Sequence, residues 1–440
     1  MKLTRIGAVL IAVTLALVGV AATHSFSELG RPGIAAAPCQ EQSWQESDPV
    51  FAPLPGTTVS FGRYTGGVYR IEIPKKWNGD LVLCSHGYVA NAGSDGSRLV
   101  VGVPGGGREQ TAFRQHLVDR GFAWAASSYR CNGYVPGIGL LDTKALIDEF
   151  ARVNKSKPPA RVYLTGGSMG GHITLLGLQE FPQTFAGGLA LCASGPGEMD
   201  FLASVAAASE FISGVKISEE TAKADVQRLT DVLEEAKVYT EKGRQLASIQ
   251  IQISGGPRPF AVEGLASRFI PNASYPLERK QQDIWYQVAS NADTQYSIDE
   301  GLGLTAEAIN ARVRRKPADS LARSAAGPYE EAIPFDGRFE RPVMTLHGTG
   351  DLYVPISLQR ILKRTVDAAG HSSFLVQRIV RSPGHCNFSP DEVNRAFDDL
   401  VAWSRTGKQP DGDDVLGDLA NAGLKFTEPL RPGDPGTRRP

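Results

Sequence analysis

The chain lacks most of the marks of a specialised binding protein. Its 46 basic and 47 acidic residues leave a formal net charge of -1, so the basic footprint of a nucleic-acid binder is missing. Its five cysteines include no CxxC and no Cys/His spacing suited to a structural zinc site. The glycine-rich stretch at 102–107 (GVPGGG) has no Lys-Ser/Thr ending, which excludes a phosphate-cradling loop, and no dinucleotide fingerprint follows a strand. There is no internal repeat, and only the N-terminus holds a long apolar run. What remains is an ordinary globular composition, 42% hydrophobic and 21% charged over 440 residues. That is enough for one large core or two modest ones.

The N-terminus has the layout of a secretory signal peptide. Lys2 and Arg5 precede an apolar run over residues 6–22, and polar and small residues follow. Val20-Ala21-Ala22 offers a cleavage site, and Ala35-Ala36-Ala37 offers a later one that Pro38 disfavours. The run falls short of the ~20 apolar residues that span a bilayer. No cysteine follows closely enough for a lipoprotein. The expectation is an exported protein, free of the membrane once the leader is removed. Outside the cytoplasm Cys39, Cys84, Cys131, Cys192 and Cys386 can form disulfides. Their odd number leaves at least one over, and the pairing stays open.

From Thr57 onward the chain alternates short apolar runs with helical stretches, the rhythm of a mostly parallel sheet flanked by helices. Strands are expected at 68–73, 81–84, 122–126, 162–164, 189–192, 343–346 and 374–380. Helices are expected at 108–120, 140–153, 169–180 and 391–404. Residues 197–336 interrupt the rhythm with helical pattern alone, at 206–212, 219–242, 278–291 and 306–315. They carry Phe260, Phe269, Tyr275, Trp285 and Tyr286. An insertion after a strand's carboxyl end lands on the ligand-binding edge of such a sheet, so this segment reads as a helical cap. The core then comprises residues 50–196 and 337–406. Residues 407–440 form a Gly/Pro-rich tail, partly packed around 416–426.

Residues 161–171 read RVYLTGGSMGG. A strand pattern, Gly166-x-Ser168-x-Gly170 and a helix pattern follow one another, as in a nucleophile elbow. The turn is sharp and needs small neighbours, which Gly166, Gly167, Gly170 and Gly171 supply. Here the sequence resembles the α/β-hydrolase superfamily. Its elbow is similar to those of secreted feruloyl-esterase-like and polyester-depolymerase-like enzymes, and to that of prolyl-oligopeptidase-type peptidases. The resemblance covers the core and not the cap. Tannase-like feruloyl esterases carry a cysteine before the serine, bridged to another after the histidine. Here Cys386 follows His385, but Gly167 precedes Ser168, which sets the chain apart from that subgroup.

A serine hydroxyl needs a base, and the base needs an orienting carboxylate. In the resembled fold the chain order is serine, acid, histidine. Asp351, in the loop HGTGDLYVP after the strand at 343–346, is the acid candidate. Asp200 and Glu198 are the rivals. His385, in SPGHCNF after the last strand, is the base candidate. His24, His116, His172, His347 and His371 are less well placed. The oxyanion donors are expected at the backbone of Met169, after the nucleophile, and of Tyr88, in the loop SHGY after the strand at 81–84. The reading is a secreted serine hydrolase that cleaves carboxylic esters, small or polymeric, through an acyl-enzyme and without a cofactor. A serine peptidase on the same fold and a non-catalytic binding member are the alternatives. Oligomeric state is not legible.

Overall fold

The computed structural model describes residues 51–65, 67–89, 108–195, 197–218, 220–277, 289–318 and 335–428. The segment expected to be a signal peptide, Cys39, the stretch at 102–107, Trp285, Tyr286 and residues 429–440 lie outside them. Its centre is a sheet of β1 (Thr57–Tyr64), β2 (Gly67–Pro74), β3 (Asp80–Ser85), β4 (Ala123–Ser127), β5 (Arg161–Gly167), β6 (Gly187–Leu191) and two later strands, β9 (Val343–Gly350) and β10 (Leu375–Pro383). The strand order is β1-β2-β4-β3-β5-β6-β9-β10. Only β2 pairs antiparallel to its neighbours, β1 and β4. From β4 to β10 every pairing is parallel. This is the α/β-hydrolase fold, as the elbow resemblance implied.

The central strands are apolar throughout because both faces are covered. Leu81 and Leu83 point into one apolar layer, and Val82 and Cys84 into the other, as the pleat requires. One layer packs beneath α2 (Pro136–Val153), α3 (Met169–Glu180) and α9 (Ser357–Ala368). The other packs beneath α1 (Arg108–Asp119) and α10 (Pro390–Thr406). Helix α9 went unread in the sequence, although Leu358, Leu362 and Val366 recur every four residues and all are buried. Edge strand β1 was missed because it is only half-buried and has no clean apolar alternation.

Between β6 and β9 the chain builds α4 (Glu198–Ser213), α5 (Ala222–Leu233), α6 (Glu241–Ile253), α7 (Ala261–Ala273) and α8 (Ala306–Arg312). These share an apolar core of their own, including Ala207, Leu229, Leu233, Leu246, Ile249, Leu265, Phe269 and Ile309. The single helix expected at 219–242 is broken. A tight hairpin of β7 (Glu234–Glu235) and β8 (Val238–Tyr239) interrupts it. Ala236 and Lys237 turn it with φ of 48° and 66°, the positive values a two-residue hairpin demands. Thr240 then starts α6, its hydroxyl accepting the Gly243 N–H at 3.1 Å. Helices α6 and α7 were not anticipated, and α4 begins eight residues before its expected start.

The tail beyond α10 has a structural task. Gly407 ends α10 in the left-handed region, and the chain then runs back beside edge strand β10. The Asp413 N–H donates to Gln377 O at 2.7 Å, and Asp413 Oδ2 accepts the Ile379 N–H at 2.7 Å. Val415, Leu419 and Ala422 pack on Ile356 and Ile379. An edge that would otherwise present unpaired backbone is thereby covered. Phe426 is buried there, while Leu416 and Leu424 stay exposed. Among the described residues no helix is long and apolar enough to cross a membrane.

One contact joins the inserted helices to the sheet more tightly than the rest. A Cβ added to Gly264 of α7 would overlap the Gly350 carbonyl oxygen at the end of β9, with the carbonyl carbon only 2.7 Å away. Gly264→Ala is therefore expected to lower unfolding free energy by on the order of 1–3 kcal/mol. Gly195→Ala, where a Cβ meets nothing within 4 Å, is expected to stay within about 0.5 kcal/mol. Urea denaturation of the two variants checks this.

Candidate active site

Five parallel strands end along one edge of the sheet, and each delivers a group to it. Adjacent strands stand ~4.8 Å apart, so residues distant in sequence meet at their ends. The loop 86–88 follows β3, Ser168 follows β5, Cys192 follows β6, Asp351 follows β9 and His385 follows β10.

Ser168 sits between β5 and α3 with φ 59° and ψ -123°. A non-glycine residue is strained there, typically by ~1–3 kcal/mol. Its surroundings hold it. The Ser168 N–H donates to Leu191 O at 3.0 Å, and its carbonyl accepts the His172 and Ser194 N–H groups at 3.1 and 3.2 Å. Close approach explains three of the four flanking glycines. A Cβ at Gly166 would stand 2.5 Å from the Gly170 backbone, one at Gly170 would overlap the Ser85 carbonyl, and one at Gly171 would lie 2.7 Å from Ala193 Cα. Gly167 is different. A Cβ there would meet its nearest neighbours at ordinary contact distance, the sulfurs of Cys386 at 3.6 Å and Cys192 at 3.7 Å.

Those sulfurs form a disulfide between Cys192 and Cys386, with Cα atoms 5.2 Å apart. It pairs the residue after β6 with the residue after His385. Cysteine beside the histidine is thus bridged, but its partner comes from the neighbouring strand end instead of the position before the serine. Both sulfurs and a His385 ring nitrogen lie within 4.8 Å of one another, which places the histidine loop against the elbow. Cys131 is also disulfide-bonded. Cys84 is the free cysteine among the described residues, and it is buried.

Of the three carboxylates weighed, Asp351 is the one bonded to His385. Its Oδ2 lies 2.7 Å from His385 Nδ1, and its Oδ1 accepts the N–H groups of Tyr353 and Val354 at 3.0 and 2.9 Å. The carboxylate is fully buried. Asp200 is engaged elsewhere, accepting the Ser290 N–H at 2.7 Å. Burial pulls the proton affinity of His385 down, but the charge and hydrogen bond of Asp351, with Glu198, bring it above the ordinary imidazole value. His172 and His347 are pushed down to about 4 by burial. His347 lies within β9, its Nε2 3.0 Å from Val354 O, and so is a strand residue and not a loop one. His116 contacts Asp398 at 3.0 Å, and His371 contacts Phe339 O at 2.6 Å.

The loop after β3 runs beside the serine. A Cβ at Gly87 would sit 3.3 Å from Ser168 Cβ and 3.9 Å from its Oγ. The His86 ring is buried and stacks on Tyr129 at 4.0 Å, and the Tyr129 hydroxyl donates to His86 O at 3.0 Å. The loop is therefore braced. Tyr88 next to Gly87 keeps half its surface exposed. Met169 is buried, and as the first residue of α3 its N–H belongs to the helix's unpaired first turn.

The inserted helices supply groups that the sequence reading passed over. The Arg258 guanidinium is buried and donates from Nε to Thr349 O at 2.7 Å. Asn272 Nδ2 donates to Leu352 O at 2.8 Å. Asn272 is fully buried. Arg268 lies over the Tyr353 ring at 4.2 Å, and that ring meets His385 edge-on at 5.0 Å. Gly264, Arg268 and Asn272 are four residues apart and share one face of α7. Small and polar residues recurring at that spacing were the available signal. Phe269 is packed in the insertion's core, which answers for one of the aromatic residues noted there. Glu198 is buried, and burial together with Asp351 raises its carboxyl to about 7 against the opposing pull of His385 and Arg268.

No known family profile matches the sequence, and no curated protein matches it. Solved structures do resemble the fold. An esterase from Aspergillus oryzae, 12% identical, aligns over 80% of this chain and 80% of that chain with a TM-score of 0.46. Feruloyl esterase B from Aspergillus oryzae, 14% identical, aligns over 80% of each chain at 0.43. The Pyrococcus horikoshii acylaminoacyl peptidase, 14% identical, aligns over 82% of this chain but 44% of that chain, at 0.39. The present chain thus spans less than half of that peptidase's length.

The charges around His385 make a measurable claim. Asp351 and Glu198 both raise its proton affinity. NMR titration of the ring should give a pKa above 6.5 in the native protein and a lower one in Glu198→Gln. The ring is charged below that pKa and neutral above it. An unchanged pKa in the variant would show that Glu198 does not act on the ring.

Proposed function

We propose that this chain is a serine hydrolase of carboxylic esters, with Ser168 as nucleophile, His385 as general base and Asp351 as the residue that orients it. The observation that carries this reading is the strained serine between β5 and α3, set on the same sheet edge as a histidine bonded to a buried carboxylate. A serine kept in a costly backbone conformation on the same sheet edge as such a pair is poorly explained by packing.

The chemistry follows from the groups. Neutral His385, its Nδ1 proton directed to Asp351, takes the proton of the Ser168 hydroxyl as the oxygen attacks the ester carbonyl. The carbonyl oxygen becomes an oxyanion, for which the backbone N–H groups of Met169 and Tyr88 are the proposed donors. Charged His385 then protonates the leaving alcohol. Water attacks the acyl-enzyme with His385 again as base, which restores the serine. Nothing in this scheme calls on a cofactor. Because His385 must be neutral to act, the rate rises with pH through its elevated pKa.

The helices between β6 and β9 are proposed as the cap over this site, because α7 packs on the acid loop itself. Export is proposed from the N-terminal layout and the disulfide, which persists in oxidising compartments.

A fluorophosphonate probe should label Ser168 in the full chain and leave Ser168→Ala unlabelled. Asp351→Asn should retain labelling at a rate lower by roughly 10⁴-fold, as expected when the histidine loses its orienting charge. A wild-type protein that resists labelling would refute the hydrolase reading. Hydrolysis of aminoacyl amides in preference to acyl esters would refute the ester assignment alone.

A further inference from the structure

The loop between β4 and α2 has no part in the scheme above, yet it meets the surroundings of Ser168 at several points. The Gly133 N–H donates to Val89 O at 2.7 Å, one residue past Tyr88. The Val135 N–H lies 3.2 Å from the Met169 sulfur. Between them, the partly buried Tyr134 brings its hydroxyl to His172 Nδ1 at 3.0 Å and to Ser194 Oγ at 2.9 Å. His172 is in the first turn of α3, and Ser194 follows β6. Their backbone N–H groups are the two that the Ser168 carbonyl accepts. One phenol therefore bridges, side chain to side chain, the two residues that fix the strained serine.

These bonds have a direction. The Ser194 side chain also bonds Glu198 and favours its charged form. An ionised carboxylate only accepts, so the Ser194 hydroxyl donates to it. Burial above all, with the charge of Glu198, keeps the Tyr134 phenol protonated. Its single proton then goes to Ser194 Oγ, and the phenol oxygen accepts from the His172 ring. That places the His172 proton on Nδ1 and leaves Nε2 a bare lone pair. The Nε2 atom is buried and has no hydrogen-bond partner, as a ring nitrogen without a proton to donate can be.

Resting on the ester-hydrolase reading, we propose that Tyr134 is a positioning residue for Ser168. Its hydroxyl closes a directed chain of hydrogen bonds from His172 through Tyr134 and Ser194 to Glu198. The chain ties the first turn of α3 to the end of β6, and the Ser168 carbonyl is held between them. A buried tyrosine hydroxyl usually finds a partner, but here both partners belong to the support of the nucleophile. Removing the oxygen leaves the ring packed and frees the His172 and Ser194 side chains. The Ser168 carbonyl then loses part of its brace, and so does the Met169 N–H that follows it. Reacting atoms tolerate little displacement, and a misplacement of about 1 Å can cost roughly 10²-fold in rate. The loss falls on the chemical step, so it appears in kcat and not in KM.

Tyr134→Phe in the full chain tests this, since it keeps the ring and deletes the oxygen. With a short acyl ester, kcat should fall by about tenfold or more while KM stays within about twofold. Ser194→Ala should behave alike, and the double variant should be no slower than the slower single one, because both changes break the same chain. Rates are referred to the fraction of Ser168 that a fluorophosphonate labels, so a poorly folded variant does not mimic the effect. Nitrogen NMR of the wild-type protein above pH 8, where Glu198 with its carboxyl at about 7 is ionised, should find the His172 proton on Nδ1. Tyr134→Phe should lose that preference. An unchanged kcat in Tyr134→Phe, a loss carried by KM, losses that multiply in the double variant, or a wild-type proton on Nε2 would each overturn the inference. If such results came with a labelled Ser168, the hydrolase reading would survive them. Absence of labelling in the wild-type protein would overturn both.

Discussion

The buried carboxylate of Asp351 is the constraint on which the rest of the structure turns. An ionised carboxylate without partners is costly in a protein interior. This one is satisfied by two N–H groups of its own loop and by the His385 ring. That arrangement requires the loop from Thr349 to Val354 to be fixed, and the strand end alone does not fix it. The inserted helices do. Gly264 lies flush against Gly350, Arg258 and Asn272 bond the carbonyls of Thr349 and Leu352, and the Leu352 side chain is part of the insertion's own core. The insertion therefore builds the acid loop as well as covering it. Changes to its packing will be felt at His385 even where they touch no site residue.

The opposite side of the edge is held by close approach. Around Ser168 the chains from β3, β5 and β6 run so near one another that Gly166, Gly170 and Gly171 have no room for a side chain. The resulting backbone interlock keeps the serine in its strained conformation. The disulfide joins this half to the other, since Cys192 lies beside the elbow and Cys386 adjoins His385. Beyond β10 the tail seals the last sheet edge with backbone and side-chain hydrogen bonds. The histidine loop is thus bounded by a covered strand before it and by the Ser389–Glu392 capping box of α10 after it.

The charged groups around His385 also bear on one another. Asp351 holds the ring, Glu198 adds negative charge, and Arg268 opposes both from across Tyr353. A histidine whose proton affinity is set by burial and by three such neighbours responds to a change in local charge as well as to pH. That gives a physical reason for the insertion to contribute a cation so close to His385.

Much of the framework was legible in the chain itself. Short apolar runs ended in glycine-rich loops, and one of those loops carried Gly166-x-Ser168-x-Gly170 between a strand pattern and a helix pattern. Local sterics dictate such a turn, so the sequence alone determined the elbow, the parallel sheet and the order in which Ser168, Asp351 and His385 appear. Three things were decided only by tertiary structure. The choice of Asp351 over Glu198 as the partner of His385 depended on which strand end lies next to β10. The pairing of Cys386 with Cys192 depended on the loop after β10 reaching across β9 to the end of β6, which no spacing records. The placement of Arg258, Arg268 and Asn272 on the acid loop depended on how α7 docks. Each involves residues tens to nearly two hundred positions apart, brought together by strand order and helix packing. Hydrophobic period fixes which face of an element is buried, but it carries no information about which other element that face will meet.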